Sequence, residues 1–327
     1  MSHPLYPFTF QPIFKERVWG GRKLEQVYGK ALPAGKPIGE SWEITDRPEG
    51  VTVITNGPLA GRDLRWLMEH HANELLGESK PCAGRFPLLV KILDAQEKLS
   101  LQVHPPAHKA AELHGDPKTE MWYVADATPD ADLFVGLRRG ATREEFERRL
   151  QDGSVAECFH RIPVKRGDSM FLPSGRVHAL GAGNLIFEIQ QNSDTTYRVF
   201  DWNRVGLDGK PRELHIPQAL AAIDFEDFEP ALAPADWQRT VAGEVRRLAD
   251  CDLFTVDLLR LQPKDEAWLT GNRVMVLAVT QGQLTVAEES ETVSLRAGDF
   301  CVLPASCASQ TVLRAAGETT FLSAVAK

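Results

Sequence analysis

The sequence predicts a mostly-β protein, built as duplicated jelly-roll barrels with helical insertions. Three observations carry that reading. Short β-rich segments recur between Gly, Pro and Asp residues, helical periodicity is confined to three stretches, and one strand–turn–strand signature occurs twice. This rhythm belongs to an antiparallel sandwich or barrel rather than to alternating βα units.

Strands are expected at 86–93, 100–104, 120–124, 132–135, 169–172, 185–190 and 196–201, each ended by turn-forming residues. A first helix is expected over 63–76, where Leu64, Leu67, Met68, His71 and Leu75 share one face and Gly77 ends it. Thr142-Arg143-Glu144-Glu145 is a capping box opening a second helix to about Gln151, closed by Gly153. Ile216-Pro217-Gln218-Ala219-Leu220 opens a third, with proline in its first turn. The acidic stretch 224–236 reads as a linker, its run near Glu226–Glu229 as a solvated connector.

The repeat lies on either side of that linker. Arg166-Gly167-Asp168-Ser169-Met170-Phe171-Leu172-Pro173 resembles Ala297-Gly298-Asp299-Phe300-Cys301-Val302-Leu303-Pro304. In both, Gly-Asp marks a tight turn and an apolar strand runs to proline. The first copy continues to Gly175 and His178, where the second has Ser306 and Ser309. The expected division is therefore a domain of residues 1–225 with helical insertions at about 61–80 and 138–160, a linker at 226–240, and a degenerate β domain at 241–327.

Whole-chain properties exclude several function classes. The net charge of −8 argues against nucleic-acid or anionic-membrane partners. No apolar run is long enough to span a bilayer, and no signal segment opens the chain. The five cysteines are odd in number and lack CxxC spacing, as expected of reduced thiols in the cytoplasm. No obligate protein partner is implied.

Gln102, His104, Glu120 and His178 outline one metal site. Gln102 and His104 are two apart, so on a strand both leave the same face. Two imidazoles, a carboxylate and an amide oxygen suit a borderline divalent ion, and without thiolates the site is a catalytic tool rather than a staple. Lys118 shares a strand face with Glu120 and points into the same cavity. His70, His71, His108 and His114 read as solvated surface groups. His160 and His215 take no assigned role, and Trp19, Trp42 and Trp122 read as core or pocket-wall aromatics.

Gly167-x5-Pro173-x-Gly175-x2-His178 matches the second motif of the cupin superfamily, with Gln102 replacing the first histidine of the first motif. Leu99–Pro105, Lys118–Tyr123, Val177–Gly183, Glu188–Val199 and Gly209–His215 together resemble the type I mannose-6-phosphate isomerase family in its short bacterial form. Weaker similarity runs through Trp19-Gly20-Gly21 and Gly39-Glu40-Ser41-Trp42-Glu43. The resemblance implies a zinc-dependent isomerase, with one zinc per chain held by Gln102, His104, Glu120 and His178. The reaction it implies interconverts mannose 6-phosphate and fructose 6-phosphate, by proton transfer through a metal-stabilised cis-enediolate. Glu188 matches the glutamate proposed as base in longer members; Asp194 and Lys118 compete for that role. Arg198 matches the family's active-site arginine. With Lys118 and Lys91 it forms the expected substrate-binding set for the dianionic phosphate. After Arg198 the chain reads Val-Phe-Asp-Trp-Asn-Arg, unlike the longer enzymes, so their phosphate-contacting lysine does not transfer. Two rivals stand beside this reading: a metal-dependent cupin oxygenase and a non-catalytic sugar-phosphate sensor.

Overall fold

The computed structural model describes residues 4–241, 243–289 and 291–327. The chain forms two compact units, both discontinuous in sequence. One takes Phe14–Ser41 and Lys91–Leu232; the other takes the stretch ending at Ile13, Trp42–Val90 and Ala233–Lys327. A single cut near residue 225 differs from this division. The segment holding the helix expected as an insertion in the first domain instead joins the C-terminal segment. Backbone pairing explains why: Gly77 bridges Arg273, Glu78 N–H donates to Asn272 O at 2.8 Å, and Ser79 Oγ donates to Ala326 O at 2.8 Å.

The first unit packs two open sheets face to face. One runs in the order Ser169–Leu172, Glu120–Ala127, Asn184–Gln191, Leu88–Ala95, Ile38–Ile44, Ile13–Gly21. The other runs Phe159–Pro163, Asp132–Leu137, His178–Leu180, Leu101–Val103, Tyr197–Phe200. Strand alternation then sorts the side chains. Between the sheets, Trp122, Leu133, Met170, Leu180 and Ile186 form an apolar plug. On the outer face of the second sheet, Leu101, Val103, Phe134 and Ala179 pack under Phe146, Ala219 and Ala222 of two covering helices. The apolar stripes of those helices are thus the reason the insertions stay. Gln102, the residue between Leu101 and Val103, is left pointing inward beside the plug.

The second unit repeats the plan with a six-stranded sheet that includes Phe254–Leu261, Met275–Gln281 and Phe300–Leu303, and a four-stranded sheet. The duplicated turn is preserved bond for bond. Lys165 N–H donates to Asp168 Oδ2 at 2.9 Å and Gly167 N–H to Val124 O at 2.9 Å. In the second copy Arg296 N–H donates to Asp299 Oδ2 at 3.0 Å and Gly298 N–H to Val279 O at 2.9 Å. Both glycines have positive φ, 92° and 86°, which a side chain would oppose. The register Leu172↔Glu120 corresponds to Leu303↔Met275, so a buried methionine stands where the first copy has a carboxylate. The mostly-β, duplicated architecture is therefore present, with open sheets in place of closed barrels.

Three local expectations need adjustment. The helix over 63–76 is two helices, Leu64–His70 and Ala72–Leu76, broken where His71 leaves helical backbone at φ −139°. Asp63 caps the first by accepting from Trp66 N–H at 2.7 Å. The stretch near Glu226–Glu229 is no solvated connector: Arg176 grips Asp227 with two hydrogen bonds of 2.7 and 2.8 Å, and Phe225 and Phe228 pack on the first unit. Last, Glu120 opens its strand and His104 follows one, so Lys118 and His104 reach the site from strand ends.

A candidate metal centre in a polar cavity

Sheet register brings the site together. His178 lies opposite Gln102, and Gln102 opposite Arg198, so the three share the inner face of the five-stranded sheet. On the facing sheet, Gln190 lies opposite Glu120 and Glu188 opposite Trp122. His178 is aimed by the motif that precedes it. Gly175 takes φ 95°, and its N–H donates to His104 O at 2.9 Å, tying the two histidine segments together.

The tautomers of both histidines are fixed from behind. His104 Nδ1 donates to Thr195 O at 2.8 Å, and His178 Nδ1 donates to Arg176 O at 2.9 Å. Each ring therefore turns an unprotonated Nε2 inward. His178 Nε2 is 3.3 Å from Glu120 Oε1, and His104 Nε2 is 3.6 Å from Glu120 Oε2. Ligands bound at ~2.1 Å to a common ion stand about 3–3.5 Å apart, so these separations fit one ion. Gln102 Nε2 is 3.3 Å from His178 Nε2; a half-turn of the amide presents Oε1 instead. Both Glu120 oxygens are buried; the Lys118 ammonium stands 2.9 Å from Oε2, while Oε1 accepts no hydrogen bond among the described residues. A buried carboxylate oxygen without a donor is a costly arrangement that a further cation relieves. The donor set fits a divalent metal.

Electrostatics point the same way. Burial, then the Lys118 charge, pull the His104 pKa down to about 3, and burial lowers that of His178. Both rings are neutral donors at physiological pH. For Glu120, burial favours the acid, but Lys118 and the histidines outweigh it and hold the carboxyl well below its ordinary range. Lys118 Nζ sits 2.9 Å from Glu120 Oε2 and 3.4 Å from His104 Nε2. Burial opposes its charge, yet Glu120, Glu188 and Asp194 hold its pKa above the ordinary lysine value.

The centre adjoins a cavity of about 560 Å³ lined by Gln102, Lys118, Glu188, Lys91, Asp194 and Arg198. All six were expected from sequence. The cavity also takes Arg17, Glu40 and Arg212, none of them expected there. Glu40 lies in Gly39-Glu40-Ser41, a weak sequence signal without a ligand pattern, and Arg212 in Gly209-Lys210-Pro211-Arg212. Glu188 is buried, accepts from Trp122 Nε1 at 2.8 Å and lies 3.3 Å from Lys91 Nζ. Burial first and Glu120 next raise its pKa, against Lys118 and Lys91. The Lys91 ammonium is surrounded: Glu188 at 3.3 Å, Asp194 at 3.7 Å and Glu40 at 3.9 Å. Such a lysine has little charge left for a phosphate.

Residues 8–134 match the phosphomannose isomerase type I catalytic domain. Over 95% of its length the chain is 37% identical to a probable mannose-6-phosphate isomerase of Bacillus subtilis (GmuF), covering 96% of that protein. The chain belongs to the type I phosphomannose isomerase family. The family is one of aldose–ketose isomerases. A mannose-6-phosphate isomerase of Streptococcus mutans is likewise 37% identical, over 93% of each chain. The crystal structure of the mannose 6-phosphate isomerase from Bacillus subtilis matches 98% of this chain and 99% of its own at 31% identity, with a TM-score of 0.88. In this phosphomannose isomerase family member, among the described residues, no helix is long and apolar enough to cross a membrane.

Proposed function

We propose that the chain is a zinc-dependent isomerase that interconverts mannose 6-phosphate and fructose 6-phosphate by moving a proton between C1 and C2. One observation carries this reading: two imidazole lone pairs and a buried carboxylate with one undonated oxygen converge beside a cavity that also holds a desolvated glutamate. Gln102, His104, Glu120 and His178 would hold the ion, and a nitrogen-and-oxygen donor set without thiolates suits zinc. When bound, zinc supplies a Lewis acid for the adjacent carbonyl and hydroxyl oxygens of the sugar.

The chain's own residues supply the rest. Glu188 takes the proton from one carbon and returns it to the other by way of a cis-enediolate. Its burial makes the carboxylate a stronger base, a rise that Lys118 and Lys91, the latter at 3.3 Å, oppose. Asp194 is set aside because 37% of its side chain is exposed to water, whereas Glu188 is buried beside the metal ligands. Lys118, held protonated by its carboxylates, donates to a sugar oxygen at the ligand face. Arg198 takes the phosphate end. Lys91 thereby moves from phosphate clamp to partner of the base. We also propose a cytoplasmic setting, as expected from the odd number and spacing of the cysteines. The second copy has Met275 in place of the carboxylate, and among the described residues the metal-type cluster lies in the first copy.

Turnover of C2-deuterated mannose 6-phosphate in ordinary water tests the chemistry. Loss of the label to solvent is expected; complete retention with transfer to C1 would show a hydride shift and remove Glu188 from its role.

A further inference from the structure

The charged residues of the cavity fall into two groups of opposite balance. Around Lys91, the cations Arg17 and Lys91 face the carboxylates of Glu40, Glu188 and Asp194, with Arg17 Nε 2.6 Å from Glu40. That group cannot welcome a dianion. The loop after Tyr197–Phe200 has the opposite surplus. There Asp201 is the one buried carboxylate serving two guanidinium groups, while Arg198 lies close enough for its charge to be felt.

The donor inventory separates the three arginines. Arg204 is spent: Nε and Nη2 donate to Asp201 Oδ1 at 3.0 and 2.8 Å, and Nη1 donates to Lys98 O. Arg212 donates to Asp201 side-on, Nε to Oδ2 at 2.7 Å and Nη2 to Oδ1 at 2.6 Å, leaving its Nη1 edge to the cavity it lines. Arg198 donates from Nη1 to Glu213 O at 2.8 Å, while its Nε is buried without a hydrogen-bond partner among the described residues. Two guanidinium groups with spare donors thus line one cavity beside two carboxylates: Asp201, already shared, and Asp208, whose Oδ1 accepts from Lys210 N–H at 3.0 Å. With Arg204 the loop still carries three guanidinium groups against these two. Burial, and then the Arg212 charge, lower the Arg198 pKa against the opposing charges of Asp201 and Glu213.

We propose that Arg212 is a substrate-binding residue, the second arm of a phosphate clamp whose first arm is Arg198, and that Asp201 aims it. The clamp rests on the proposed function for its sugar-phosphate ligand; its preference for a phosphoryl group rests on the charge balance alone. The loop that carries it is pinned at both ends, because Arg204 and Arg212 share Asp201. Between them, Val205 bridges Pro211 and Gly206 N–H donates to Lys210 O at 2.7 Å. The short span closes on itself and presents Leu207 and Asp208 to the cavity beside Arg212. The lysine used by longer relatives has no counterpart after Arg198, and the clamp fills that role from a different position in the chain.

Calorimetric titration of the zinc-loaded protein with inorganic phosphate, paired with steady-state kinetics on mannose 6-phosphate, tests this. Arg212→Ala should weaken phosphate binding and raise KM by about 10- to 100-fold, as for loss of charge-assisted hydrogen bonds, with kcat reduced less than about threefold. Arg212→Lys should recover only part, because one ammonium cannot both hold Asp201 side-on and offer a separate donor. Phosphate affinity of Arg212→Ala within about twofold of the original would overturn the proposal. So would a fall in kcat with KM and phosphate affinity spared, or loss of bound zinc, since either marks a residue that merely supports the loop. Arg212-dependent phosphate binding without any mannose 6-phosphate turnover would uphold the clamp and refute the proposed activity.

Discussion

At the scale of single residues, the site works because its side chains are paired with different partners. Glu120 and Glu188 are both buried carboxylates on one sheet face, on neighbouring strands, yet their pKa values move in opposite directions. Lys118 at 2.9 Å keeps Glu120 an anion for the metal, whereas burial and the Glu120 charge outweigh Lys118 and Lys91 at Glu188 and leave it the stronger base. Glu188→Gln keeps shape and the acceptor for Trp122, and it should lower kcat by about 10²–10⁴-fold while zinc content is kept. Kinetics and metal analysis on the same sample would check this; kcat within a few-fold would hand the proton to Asp194. Much of this chemistry was legible in the sequence, since metal ligands announce themselves by type and spacing. Pairing was not. Nothing in the chain near Lys91 says that Glu40, Glu188 and Asp194 surround it, because those partners come from two segments remote from it in sequence.

At the scale of elements, strand alternation does the positioning and caps set the ends. Leu101-Gln102-Val103 buries two residues in the outer core and turns the third inward, so a period of two delivers a ligand. The capping box at Thr142 was readable because it is local: its Oγ1 accepts from Glu145 N–H at 3.1 Å. Thr142→Ala should destabilise the protein by about 1 kcal/mol in urea unfolding, without altering KM. The break at His71 was not readable, since the apolar face continues across it. Asp201 supplies a pH test of the loop. Burial raises its pKa, but hydrogen bonds from Arg212 and Arg204 prevail and the net shift is downward. A depressed folded value means the contribution is present above the unfolded pKa and is lost as pH falls through the folded one. Asp201→Asn should therefore cost about 2 kcal/mol at neutral pH, with the gap to the original protein closing below about pH 4. A gap constant from pH 7 to pH 3 would contradict that assignment.

At the scale of the whole molecule, one fold plan was used twice and given chemistry once. The Gly-Asp turn is identical in its hydrogen bonds at Gly167 and Gly298, which is why a short sequence repeat sufficed to reveal the duplication. Its boundaries were harder to read. Residues 42–90 fold with 233–327, and segment pairing over such sequence distances leaves no local mark. In the second copy Met275 and Cys307 fill with apolar atoms the region where the first keeps donors. The account therefore requires a single ion, in the first copy. The direct measurement is mannose 6-phosphate isomerisation by protein stripped with chelator and reloaded with graded zinc, metal content being determined at each point. Activity should vanish on stripping and rise in proportion to occupancy, levelling off at one zinc per chain. Full activity in the stripped protein, or no turnover at one zinc per chain, would contradict it.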